Sequence, residues 1–227
     1  MTTGFDARVR DRPLDPERPV HVLLWDADGV LQHPGHEWAP RLDAWGGPGF
    51  AEALFAAEVP ALRGEVPFRD ALEDLLTRWP GATADVDDLL GLWEQVDGDD
   101  EAIALVRDVA ASGVRCVLAT NQQDHRKAHL RRVFGYDDVF ERSFYSCDLG
   151  TMKPEVAYFE GVLAALGVEA DQVGFVDDSR GNVQAALGLG IRAVHHVPAT
   201  GVRGLRRVLG WDVGDENGRA RGAAVRR

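Results

Sequence analysis

The chain has 227 residues, 45% of them hydrophobic and 27% charged, with a net charge of −12 at pH 7. That length exceeds a usual single domain without reaching two full ones, and it suits a core domain carrying a smaller insert. The composition is that of an ordinary soluble globular protein, and the acidic balance argues against a general nucleic-acid binder or a binder of anionic membranes, both of which want basic patches.

Residues 1–19 are polar and rich in Arg and Pro, and they read as a loose N-terminal arm with no apolar signal segment. The first buried strand is "HVLLWD", residues 21–26. Near-continuous apolar runs of this kind mark parallel strands covered on both faces. The loop "HPGHEWAPRLDAWGGPG" follows and is broken by Pro and Gly. Residues 33–98 then show helical patterns and no convincing strand. "FAEALFAAEV" (50–59) is one candidate helix. A second carries Phe68, Leu72, Leu75, Leu76 and Trp79 at offsets 0, 4, 7, 8 and 11, which is one helical face. A third repeats the pattern with Val86, Leu89, Leu90 and Trp93. The Trp and Phe positions in this stretch read as core. His33, His36 and Glu37 border the insert, where solvated loop residues and substrate contacts are the two readings.

The later part alternates helix and strand. "DDEAIALVRDVAASG" has Asp99 or Asp100 as its N-cap and ends at Gly113. Strands are predicted at "VRCVLAT" (114–120), "QVGFVDD" (172–178) and "IRAVHHV" (191–197). Between them, "KPEVAYFEGVLAALG" opens with Pro154 in its first turn and closes on Gly167. "GNVQAALGLG" follows the third strand directly. Strands alternating with helices predict an α/β fold with a doubly wound, mainly parallel, Rossmann-like sheet. The core spans 20–32 and 99–211, the helical insert spans 33–98, and 212–227 reads as a disordered tail. No apolar run approaches the roughly 20 residues of a membrane helix. Two cysteines, Cys116 and Cys147, are too few for a disulfide framework. Each falls in a predicted strand, as a buried reduced thiol would, and a cytoplasmic location is expected.

Ligands of open α/β sheets bind at the carboxyl ends of the strands, and the polar residues gather there. The first strand ends in Asp26 and Asp28, the second in Thr120 and Asn121, and the third in Asp177 and Asp178, with Lys153 just before Pro154. Taken singly, each has an ordinary explanation as turn or capping chemistry. Taken together, four carboxylates converging on one crevice are costly unless a cation neutralises them. Hard oxygen ligands without His or Cys favour Mg²⁺. A carboxylate beside the metal can attack phosphorus, and a second one two residues on can exchange a proton with the leaving oxygen and then with water. The Thr120 hydroxyl, backbone N–H groups and the Lys153 ammonium can hold phosphoryl oxygens.

This arrangement resembles the haloacid dehalogenase-like hydrolase superfamily over about residues 20–200. The motifs stand here as "LLWDADGVL", "VLATN", "MKPE" and "VGFVDDSRGNVQAA". The resemblance implies Asp26 as the nucleophile and Asp28 as the general acid and base, its backbone carbonyl also on Mg²⁺. It implies phosphoryl binding by Thr120 and Lys153, with Asn121 beside them, and metal ligation by Asp178 and, directly or one shell out, Asp177. Asn182 matches the trailing Asn of the fourth motif, where it orients the loop or caps the next helix. Trp25 stands where a smaller apolar residue or Phe is commoner. The insert looks like the helical cap of the subgroup in which the cap follows the first motif. The implied activity is Mg²⁺-dependent hydrolysis of a small phosphorylated metabolite through an aspartyl-phosphate. A phosphomutase, a 2-haloacid dehalogenase and a non-catalytic binding protein are the alternatives. Asp28 and the acidic fourth motif disfavour the dehalogenase, and the full residue set disfavours the non-catalytic protein.

Overall fold

The computed structural model describes residues 13–15, 18–35 and 37–211. The tail 212–227, most of the arm and His36 lie outside the described residues. In chain order the elements are β1 (Val22–Trp25), β2 (Gln32–Pro34), α1 (Trp38–Gly46), α2 (Phe50–Leu62), α3 (Phe68–Arg78), α4 (Val86–Trp93) and β3 (Val96–Gly98). Then come α5 (Asp100–Ala111), β4 (Arg115–Thr120), α6 (Asp124–Phe134), α7 (Tyr136–Val139), β5 (Arg142–Tyr145), α8 (Ser146–Leu149), α9 (Val156–Leu166), β6 (Val173–Asp177), α10 (Arg180–Gly188), β7 (Arg192–His195) and α11 (Gly201–Val208).

The main sheet has five parallel strands in the order β5-β4-β1-β6-β7. Side chains alternate between its faces, as the period of a strand requires. On one face Leu23 and Trp25 of β1, Cys116 and Leu118 of β4 and Val176 of β6 pack with Leu105 and Val109 of α5 and Leu205 of α11. On the other, Val22, Leu24, Val117, Ala119 and Phe175 pack with Tyr158, Phe159 and Val162 of α9 and Ala186 of α10. Trp25 is fully buried on the first face, where an ample layer of aliphatic side chains accepts its size. The register sets Trp25 beside Leu118 and Val176, so the segments that follow β1, β4 and β6 leave the same edge of the sheet.

Helices α1–α4 form a cluster of their own, with Leu42, Phe50, Leu54, Phe68, Leu72, Leu75, Leu89 and Trp93 inside it. The chain enters and leaves this cluster through β2 and β3, a two-stranded antiparallel ribbon pairing Gln32 with Gly98 and Pro34 with Val96. That ribbon corrects the expectation of no strand in 33–98; at three residues a side it is too short to show a period. Helix α1 corrects the reading of "HPGHEWAPRLDAWGGPG" as a loop. Pro40 lies in its first turn, where the missing N–H costs nothing.

Three further differences concern the core. Strand β5 is a short edge strand with an exposed start and shows no apolar run. Cys147 lies in the short helix α8 rather than in a strand, and both thiols are free. Helix α9 starts at Val156 with Glu155 as N-cap, so Pro154 precedes it. Asp99, of the two candidates, caps α5 by accepting from the Ala102 N–H at 2.9 Å. The described part of the arm is docked, since the Leu14 N–H donates to the Val208 carbonyl at 2.9 Å. Among the described residues no helix is long and apolar enough to cross a membrane.

Candidate active site

Strands β1 and β6 are neighbours, and each ends in acid. The carboxylate oxygens of Asp26, Asp177 and Asp178 come within 4.8 Å of one another. Between them stands Lys153, which is 2% exposed. Its ammonium donates to Asp26 Oδ1 at 2.7 Å, to Asp177 Oδ2 at 2.7 Å and to the Ala119 carbonyl at 2.8 Å. An ammonium has three protons, so all of them are used. The lysine is delivered by Asn121: its Oδ1 accepts from the Lys153 N–H and its Nδ2 donates to the Lys153 carbonyl, both at 2.9 Å. The amide of Asn121, a residue expected beside the phosphoryl group, is engaged on both sides with the Lys153 backbone.

Asp177 is fully buried and saturated. Besides Lys153, it accepts from the Ser179 N–H at 2.7 Å and from Asn182 Nδ2 at 3.0 Å on both oxygens. Asn182 therefore orients this loop through Asp177. Asp178 is turned to solvent more than its neighbour and sits against Gly29. That glycine has φ +74°, and a Cβ there would lie 2.3 Å from Asp178 Oδ2. Only glycine fits both the left-handed backbone and the close approach.

Two carboxylates share one buried ammonium with a third close by, and their proton affinities register it. Burial and the neighbouring Asp177 push the Asp26 carboxyl well above its ordinary range, against the pull of Lys153. Burial, again with Asp177, raises Asp178 to about 6. Burial alone would discharge Lys153, but Asp177 and Asp26 overcome it and hold the ammonium charged. The unneutralised negative charge, presented by hard oxygens, suits a divalent cation such as Mg²⁺. Asp26 and Asp178 have oxygens to offer it. Asp177 has both of its oxygens committed.

The Asp28 carboxyl stands beside this cluster, near enough to raise Asp26 and Asp178 further, and has its own set of partners. Its Oδ1 accepts from Gln32 Nε2 at 2.9 Å and from Arg126 Nη2 at 2.6 Å, and its Oδ2 accepts from Gln122 Nε2 at 2.7 Å. Gln32 is fixed in turn by the Tyr136 hydroxyl, which donates to its Oε1 at 2.8 Å. Thr120 is buried at the end of β4, with Gln122 Nε2 3.2 Å from its hydroxyl. The sequence reading missed Gln32, Gln122 and Arg126. The only signal was their place just after the first and second motifs. Of the residues bordering the insert, His33 approaches Asp99 at 3.9 Å and Glu37 is exposed.

The chain matches the family model for haloacid dehalogenase-like hydrolases over residues 20–190, and it belongs to that family. It is 28% identical to a phosphoglycolate phosphatase of Pectobacterium atrosepticum over 194 residues, covering 77% of this chain and 79% of the relative. It is 31% identical to the sesquiterpene phosphatase astK of Aspergillus oryzae, over 43% of this chain and 50% of that protein. The fold superposes on the magnesium complex of the HAD family enzyme bt-2542 from Bacteroides thetaiotaomicron. The TM-score is 0.73 at 19% identity, covering 83% of this chain and 98% of that one. The chain is thus a hydrolase of this family with the family's core fold.

Two outcomes follow from the charge balance. Lys153→Met leaves Asp26 and Asp177 buried without their cation and is expected to cost about 3–5 kcal/mol in urea unfolding at neutral pH. A cost under about 1 kcal/mol contradicts the buried pairing. Asp178 has its carboxyl raised in the folded state, so the protein favours its protonated form. The stability it contributes is present below about pH 4 and lost as pH rises through about 6. With a chelator present, Asp178→Asn is therefore expected to be more stable than the parent at pH 7, with the difference fading toward pH 4. An equal difference at both pH values contradicts it.

Proposed function

We propose that the protein is a Mg²⁺-dependent phosphomonoester hydrolase acting on a small phosphorylated metabolite through an aspartyl-phosphate on Asp26. The observation that carries this reading is the cluster of Asp26, Asp177 and Asp178 around a single buried ammonium, which lacks positive charge that a cation and a phosphoryl centre would share. Asp26 and Asp178, with the Asp28 backbone carbonyl, would hold Mg²⁺. When bound, the ion supplies charge that neutralises these carboxylates and the phosphoryl oxygens.

Lys153 keeps one Asp26 oxygen fixed and leaves the other to attack. A bond forms from that oxygen to phosphorus while the bond from phosphorus to the leaving oxygen breaks. Asp28 serves as general acid, passing a proton to the leaving oxygen. It then takes one from the water that attacks phosphorus, breaks the acyl phosphate and restores Asp26. Gln32, Gln122 and Arg126 fix the Asp28 carboxyl for both transfers. Thr120 binds a phosphoryl oxygen, and Asn121 positions Lys153. Residues 33–98 act as a cap that shelters the aspartyl-phosphate from bulk water. Relatives at moderate identity that are phosphatases support this reading. Carbon–halogen displacement needs no metal, so the acidic pair at the end of β6 favours phosphoryl transfer over dehalogenation.

Hydrolysis of p-nitrophenyl phosphate is expected with Mg²⁺ and is expected to disappear on exhaustive chelation. Asp26→Asn is expected to lose about a thousandfold or more in kcat. Undiminished turnover by that variant contradicts the nucleophile, and full activity without metal contradicts the ion.

A further inference from the structure

Where the helical insert meets the core, a second polar group surrounds Asp28. Arg126 of α6 is 5% exposed, pairs with Asp28 at 2.6 Å and lies 4.9 Å from the centre of the Trp38 ring of α1. Trp38 stacks on Trp93 at 5.0 Å, and Trp93 Nε1 donates to Glu58 of α2 at 2.6 Å. Burial raises the Glu58 carboxyl to about 7, against the pull of that hydrogen bond and of Arg126. Trp38 Nε1 and Arg126 Nε find no acceptor among the described residues, and Gln123 Nε2, on a fully buried side chain, has the Glu58 carboxyl beside it. Buried donors without acceptors are rare unless a ligand supplies the partner. None of this wall is needed to hold Mg²⁺ or the phosphoryl group.

We propose that Glu58, Gln123 and Arg126 form the subsite for the leaving group, and that they select a neutral polyhydroxy one, as in a sugar or polyol monophosphate. The proposal rests on the phosphatase reading and goes beyond it. The leaving oxygen must reach Asp28, which places the rest of that group beside Arg126. A hydroxyl both donates and accepts, and the wall offers both functions: N–H groups from Arg126 and Gln123, and an acceptor on Glu58. A carboxylate-bearing leaving group would be the third carboxyl beside one guanidinium that already faces Asp28 and Glu58, which is electrostatically unfavourable. An apolar leaving group would bury Arg126 Nε and Trp38 Nε1 without partners.

The test compares kcat/KM for phosphate release from glycerol, pentose and hexose monophosphates with that from phosphoglycolate and farnesyl phosphate. p-Nitrophenyl phosphate serves as a common reference with Mg²⁺ present. The best polyhydroxy substrate is expected to exceed both others by about tenfold or more. In Glu58→Gln, which removes one carboxylate from the wall, the ratio of polyhydroxy substrate to phosphoglycolate is expected to fall by about tenfold. Glu58→Ala gives the same comparison if the first variant does not fold. A wild-type preference for phosphoglycolate or farnesyl phosphate overturns the proposal alone, as does a ratio that Glu58 variants leave unmoved. Failure to cleave any ester, p-nitrophenyl phosphate included, overturns the phosphatase reading and this proposal with it.

Discussion

The buried ammonium of Lys153 is the interaction on which the site depends. It bridges the ends of β1 and β6 by bonding Asp26 and Asp177, and it reaches the end of β4 through the Ala119 carbonyl. One side chain thereby ties three strands of the parallel sheet together at the edge from which the functional loops leave. Buried ion pairs seldom add net stability, because desolvation offsets the attraction. Here the balance is also unequal, with three carboxylates to one ammonium. A chain under selection for stability alone has cheaper ways to end two strands, so the excess charge points to function.

The rest of the fold supplies the geometry. Neighbouring parallel strands bring Asp26 and Asp177 together without either loop having to travel. Gly29 lets the first loop turn against Asp178. The helical insert is held over this edge by contacts at several points. The Phe68 N–H donates to Asp124 Oδ1 at 2.8 Å, Arg63 pairs with Glu155, and Glu94 faces His125 at 3.2 Å and His129 at 3.5 Å. Gly64 approaches so closely that a Cβ would meet the Cys147 carbonyl oxygen at 2.1 Å.

Much of this was legible in the sequence, for physical reasons. The strands of the sheet centre announce themselves because both faces are covered, which forces unbroken apolar runs. Asp26, Asp28, Asp177 and Asp178 stand out because four carboxylates at the ends of such runs are costly together, though each alone suits a turn or cap, and Lys153 stands out as one of two lysines. What stayed hidden lacks a local signal. Strands β2, β3 and β5 are too short, or too exposed, to show a period. Helix α1 hides behind Pro40 and its flanking glycines. Arg126 looks like an ordinary helical arginine, because its partner Asp28 lies 98 residues away. Asn121 and Asn182 were visible as motif residues. That they act by holding Lys153 and Asp177 needed the fold.

The measurement that bears most directly on the central claim is peptide mass mapping of enzyme quenched in acid during turnover with Mg²⁺ and a cleavable phosphomonoester. A phosphoryl group on the peptide bearing Asp26, lost on treatment with hydroxylamine and absent from Asp26→Asn, is the expected result. Steady phosphate release with no phosphoryl group trapped under any quench, or with the group on a different residue, would contradict it.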